Sequence, residues 1–132
     1  MKTIYYILTF ILGLSISALT QNSLDLTGRW KWEFFIIDHK KTQVDWEDYL
    51  VLHQDGSFKK ECKYKAEELH VCDSGKWQLN AKRILHLDLD KSANGGSQHA
   101  INYHIYKFKE DTLVINSKES PKNIFIYYIK QK

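Results

Sequence analysis

GRWKWEFFII, Gly28 to Ile37, is the stretch whose reading decides the fold. Trp30, Trp32, Phe34 and Ile36 occupy every second position, with Arg29, Lys31 and Glu33 between them. Side chains of a strand point alternately to its two faces, so this pattern predicts a half-buried strand with one bulky apolar face and one charged face.

Working outward from this strand, the same alternation recurs and helix-period patterns are scarce. A polar stretch from Asp38 to Asp48 reads as a loop of about ten residues, long for a connection between adjacent strands. Tyr49 to Gln54 follows, with Leu50 and Leu52 on one side, and then the Asp55-Gly56 pair that marks a tight hairpin. Further strands are predicted over Ser57–Tyr64, Leu69–Leu79, Ile84–Asp90, Ala100–Lys109, Thr112–Lys118 and Asn123–Lys130, the last after Pro121. The loop KSANGGSQ carries Gly95 and Gly96. About eight strands joined by short turns, with no helix to cover a parallel sheet, make an all-β antiparallel meander. Closing the meander into an up-and-down barrel removes its exposed edges, and an eight-stranded barrel has an interior that side chains fill or that holds one small ligand.

The faces opposite the apolar ones carry Arg29, Lys31 and Glu33, then Lys59, Glu61 and Lys63, then His86, Asp88 and Asp90. A Lys or Arg at the bilayer midplane costs roughly 2–4 kcal/mol, so a lipid-facing exterior is excluded and the barrel is expected to be apolar inside. Upstream, Lys2, the apolar run Ile4–Leu14 and the small-residue region Ser15–Thr20 read as a secretory signal over residues 1–20. Residues 21–132 are then one domain, secreted or periplasmic, with no transmembrane span after cleavage. The 19 Lys and Arg against 16 Asp and Glu give +3, scattered along the chain without a basic stripe, so nucleic acid is not an expected partner.

The ordered motifs resemble the small lipocalin-like domains of secreted bacterial proteins. Gly28-Arg29-Trp30 is similar to the G-x-W signature at the start of the first strand. Phe58 follows the Asp55-Gly56 hairpin, Gly75-Lys76-Trp77 repeats the signature, and INYHIYKFKEDTLVI supplies the alternating penultimate hairpin. The resemblance implies that Gly28 lets the chain bend across a closed barrel end, which Trp30 plugs. The family sets an arginine of the last strand against that tryptophan; here the last strand offers lysines, with Lys130 in that place.

Lipocalin-like barrels imply a small hydrophobic or amphipathic ligand in the interior, lined here by Trp32, Phe34, Leu50, Leu52, Leu85, Leu87, Tyr103 and Tyr127. Trp46 belongs to the first long loop, over the mouth, where it forms a lid or simply closes off the core. The rival expectation is a solid barrel whose loops bind a protein partner, as an inhibitor, immunity factor or envelope accessory protein does. Cys62 and Cys72 lie opposite each other if a turn is centred on Glu67. The readings are a disulfide in an oxidising compartment, two free thiols, or a metal site completed by His70. Leu69, Val71, Trp77 and Leu79 place one face of their strand inward, while Phe58 and Tyr64 place Cys62's face inward; a bulge near Asp73-Ser74-Gly75 reconciles them. Asp45, Glu47 and Asp48 read as a solvated loop cluster, and His86 and His104 as surface residues within reach of each other. No nucleophile elbow, phosphate loop or paired-histidine motif occurs, so neither catalysis, nor a metal, nor a cofactor is expected.

Overall fold

The computed structural model describes residues 24–90, 100–117 and 123–132. The candidate signal segment, the Gly95-Gly96 loop and Pro121 lie outside them. The described residues form nine strands: β1 (Gly28–Ile37), β2 (Lys40–Gln43), β3 (Glu47–Leu52), β4 (Ser57–Lys63), β5 (His70–Leu79), β6 (Ile84–Leu89), β7 (Ala100–Lys109), β8 (Thr112–Ser117) and β9 (Ile124–Lys130). Every pairing between them is antiparallel, and β1 pairs with β9, which closes β1 and β3–β9 into an eight-stranded meander barrel.

β2 is the ninth strand and a departure from the sequence reading, which placed a loop there. It folds back on the second half of β1, pairing Phe34 with Gln43 through Ile37 with Lys40. Asp38 and His39 both take positive φ, 48° and 67°, the conformation of a type I′ hairpin turn. The first half of β1 instead pairs with β3, from Gly28↔Leu52 to Lys31↔Tyr49. The predicted hairpin after β3 is present: Gly56 has φ 89°, and Asp55 Oδ1 accepts from the Ser57 backbone N–H and hydroxyl at 2.9 and 2.6 Å.

Three one-residue bulges adjust which side chains face inward. On β1 the register with β9 passes from Trp32↔Tyr128 to Phe34↔Tyr127, leaving Glu33 extra. On β5 it passes from Lys60↔Asp73 to Glu61↔Val71, leaving Cys72 extra. On β7 it passes from Ile105↔Ile115 to Lys107↔Val114, leaving Tyr106 extra. The extra residue shifts the two-residue alternation by one, so the inward set changes parity across each bulge. The β5 bulge thus lies just before the Asp73-Ser74-Gly75 segment where the sequence required one.

The core is a continuous apolar filling of the barrel. Leu26, Trp30, Leu50, Leu52, Phe58, Leu85, Leu87, Leu89, Ile105, Leu113, Ile115 and Tyr128 are buried together. One end is plugged. Trp30 is fully buried, donates its indole N–H to Leu26 O at 2.9 Å and meets the edge of Phe108 at 6.0 Å. Lys130, its β9 partner, holds Nζ 5.5 Å from the Trp30 ring, as expected of the last-strand basic residue. Gly28 has φ 134°, a conformation side chains resist, and a Cβ there would lie 2.7 Å from Lys130 Cε. Gly75 is required for a different reason: a Cβ would collide with the backbone carbonyl of Asp88 on β6.

Candidate functional site

The opposite end of the barrel is built differently. Here β1 has left β3 for β2, and the segment leading into β3 crosses the gap, setting Trp46 edge-on against Trp32 with ring centroids 5.6 Å apart. Trp32 also packs on Phe35 at 5.8 Å and Tyr128 at 6.5 Å. Trp46 reaches Tyr64, which is 52% exposed, at 6.3 Å. The result is an aromatic rim in which Trp32, Phe35 and Trp46 are half-buried, Tyr128 is buried and Tyr64 meets solvent.

Beneath this rim lies a polar group inside the barrel. Alternation from Leu52 and Leu50 carries Asp48 onto the inward face of β3, and the same alternation from Phe58 carries Lys60 and Cys62 onto that of β4. Asp48 is 5% exposed. Its Oδ2 lies 3.7 Å from Lys60 Nζ, and its Oδ1, fully buried, accepts no hydrogen bond among the described residues. Asp73 pairs with Lys60 across β4 and β5. Burial pushes the Asp48 carboxyl above its usual range; the Lys60 ammonium opposes this and the Asp73 charge adds to it. Tyr128, buried at the base of the rim, has its phenol pushed well above the ordinary 10.0, first by burial and then by the charge of Asp48 and by Tyr103.

Cys62 and Cys72 are disulfide-bonded, with Cα atoms 5.8 Å apart. They are not directly opposed, because Cys62 pairs with His70 and Cys72 is the bulged residue. The bridge clamps β4 to β5 beside the polar group, with Cys62 Sγ 3.9 Å from Asp48 Oδ2. Among the described residues no group of three or more His, Cys, Asp or Glu is placed to hold a metal ion.

The residues expected to line the interior divide into three sets. Leu50, Leu52, Leu85 and Leu87 are buried in the core, and Tyr103 is half-buried against it. Trp32 and Trp46 meet at the end opposite the Trp30 plug. Phe34 and Tyr127 require correction: the Glu33 bulge turns Phe34 to the outer face, and Tyr127 alternates with the inward Tyr128. There they stack on each other at 4.3 Å, with Lys41 Nζ 4.1 Å above the Phe34 ring. Leu69 and Val71, expected inward, are 40% and 53% exposed, because the Cys72 bulge reverses β5 before Asp73. Gly75 is buried and Trp77 is half-buried against the core, its indole N–H donating to His53 O at 2.8 Å. His86 pairs with Asn102, Nδ1 to Oδ1 2.6 Å, whereas His104 pairs with Ile84. Gln78, Asn80, Ile84, His86 and Asn102 line an outer pocket of about 230 Å³, in which the imidazole Nδ1 and the amide oxygen are hydrogen-bonded to each other.

Sequence reasoning missed Asp48, Lys60, Phe35 and Tyr128. For Asp48 and Lys60 the signal was available, since each shares a period-two register with neighbours already read as inward: Leu50 and Leu52, and Phe58.

Comparison with known proteins agrees with this architecture. The family model of the lipocalin-like domain matches residues 26–115. A crystal structure of an uncharacterized protein from Bacteroides eggerthii DSM 20697 superposes with a TM-score of 0.63 at 16% identity, covering 81% of this chain and 100% of that one. No curated protein matches the sequence significantly.

Proposed function

The chain belongs to the lipocalin-like domain family, and from that premise we propose that it is an exported, non-catalytic barrel that takes a small amphipathic ligand at its open end. The observation that carries the reading is the buried Asp48 carboxylate, its Oδ1 unpartnered among the described residues, under the Trp32–Trp46 aromatic rim. A buried acceptor left unsatisfied costs roughly 1–3 kcal/mol, and a ligand group that donates to it recovers part of that. Half-buried indoles beside it offer apolar area, stabilising about 25 cal/mol for each Å² removed from water. Export is supported by the N-terminal apolar run of the sequence and by the Cys62–Cys72 bridge, which persists in oxidising compartments.

Native mass spectrometry and tryptophan fluorescence of the purified protein with fatty acids, fatty alcohols, fatty amines and hydrophobic dyes test the reading. Retained ligand with quenched emission is expected; no retention across the panel overturns it. One observation favours a protein partner as the second reading. Tyr106 is 66% exposed and packs on Phe125 at 5.0 Å, and with the Phe34–Tyr127 stack it makes an aromatic patch on the outer wall. That reading predicts a partner recovered from cells of the source that is lost on Tyr106→Asp and kept on Trp46→Ala.

A further inference from the structure

The inward-facing charges at the open end are unbalanced. On the described strands they are Asp48, Asp73 and Lys60, two carboxylates against one ammonium; His70, the cross-strand partner of Cys62, is exposed and has Nδ1 3.0 Å from Glu68 O. Lys60 engages only one oxygen of Asp48, from 3.7 Å, and leaves the other, fully buried, without a donor among the described residues. Neither cysteine supplies a donor, because both sulfurs are in the disulfide and carry no hydrogen. A desolvated site with one net negative charge and an open acceptor is completed by a cation that donates hydrogen bonds. A carboxylate ligand would bring a third negative charge into the same low-dielectric space. The surroundings point the same way, since Trp32, Trp46, Tyr64 and Tyr128 cluster at this end, and aromatic rings attract cations and shelter apolar chains.

We propose that the open end selects amphipathic amines, with the ammonium or amino head on Asp48 Oδ1 and the apolar body against Trp32 and Trp46. This rests on the ligand-binding reading above and narrows it to a head-group class.

The test compares three ligands of equal chain length, dodecylamine, dodecanol and dodecanoic acid, titrated below their micelle concentrations into the purified protein at neutral pH by calorimetry and tryptophan fluorescence. The expected order is amine, then alcohol, then acid, with the amine bound at least about tenfold more tightly than the acid. Asp48→Asn is expected to abolish the amine preference while dodecanol still binds. Should Asp48→Asn not fold, Asp73→Asn, at a half-buried position, is expected to lower the amine-to-acid ratio about threefold by removing one of the two carboxylates. Acid binding as tight as amine binding, or an amine preference unchanged in the variants, overturns the head-group assignment and leaves ligand binding standing. Failure of all three ligands to bind overturns both.

Discussion

The two ends of the barrel use tryptophan for opposite purposes. At the plugged end Trp30 is fully buried, spends its indole N–H on Leu26 O and lies under Lys130, so no part of it remains for another molecule. At the open end Trp32 and Trp46 meet edge-to-face and half-buried, above a carboxylate with an oxygen to spare. At the plugged end the buried indole N–H is hydrogen-bonded; the opposite end combines an unpartnered buried carboxylate oxygen with a half-buried to exposed aromatic surface. Closure of the fold and the proposed binding surface thus lie at opposite ends of one axis, and a substitution at either end has its own signature.

The largest effect expected is at the plug. Trp30→Ala leaves a large cavity in a close-packed core and should cost about 3–5 kcal/mol in chemical denaturation. Next comes the strand clamp. The Cys62–Cys72 bridge spans a sequence separation of 10, and the chain-entropy relation gives about 2–3 kcal/mol for a loop of that size. Cys62→Ser with Cys72→Ser should therefore lower stability by that amount and loosen the mouth, detected as faster amide exchange in β4 and the start of β5. Gly75→Ala, which drives a methyl into the Asp88 carbonyl, should cost about 1–3 kcal/mol by thermal unfolding.

Asp48 gives a prediction with a sign. Burial raises its folded pKa above the 3.8 of an unperturbed carboxyl, so the folded protein holds this proton more tightly than the unfolded chain. Its stabilising contribution is complete below that ordinary value and is lost as pH rises through the raised one. The melting temperature of the native protein relative to Asp48→Asn should accordingly fall as pH rises from below 3.8 through the raised value; a difference independent of pH contradicts the burial described. Smallest in stability is Trp46→Ala, about 1 kcal/mol or less, with ligand affinity rather than folding as the affected quantity. Equal losses of stability from Trp30→Ala and Trp46→Ala would erase the distinction between the ends.

The barrel itself was legible in the sequence because alternation is a direct imprint of the strand pleat. GRWKWEFFII, the Asp55-Gly56 hairpin and Leu85-x-Leu87-x-Leu89 each place their elements without tertiary information. The bulges were less legible. Residues Phe34, Phe35, Ile36 and Ile37 are apolar on both parities, so nothing local shows that Glu33 is extra and that Phe35, not Phe34, meets Trp32. Lys40–Gln43 is polar throughout and exposed, which hides a strand from any hydrophobic pattern. The polar group of the mouth escaped for another reason. Charged residues are ordinarily solvated, so the sequence reading assigned Asp48 to a loop, although its spacing from Leu50 and Leu52 set it inward.

The most direct measurement is the response of the four indole N–H resonances of the ¹⁵N-labelled protein, one from each of its 4 tryptophans, to an amphipathic ligand. The account predicts that dodecylamine shifts the Trp32 and Trp46 signals, which meet at the rim, and leaves Trp30 and Trp77, which lie outside it, in place. Shifts confined to Trp30 or Trp77, or no shift in any of the four, would contradict it.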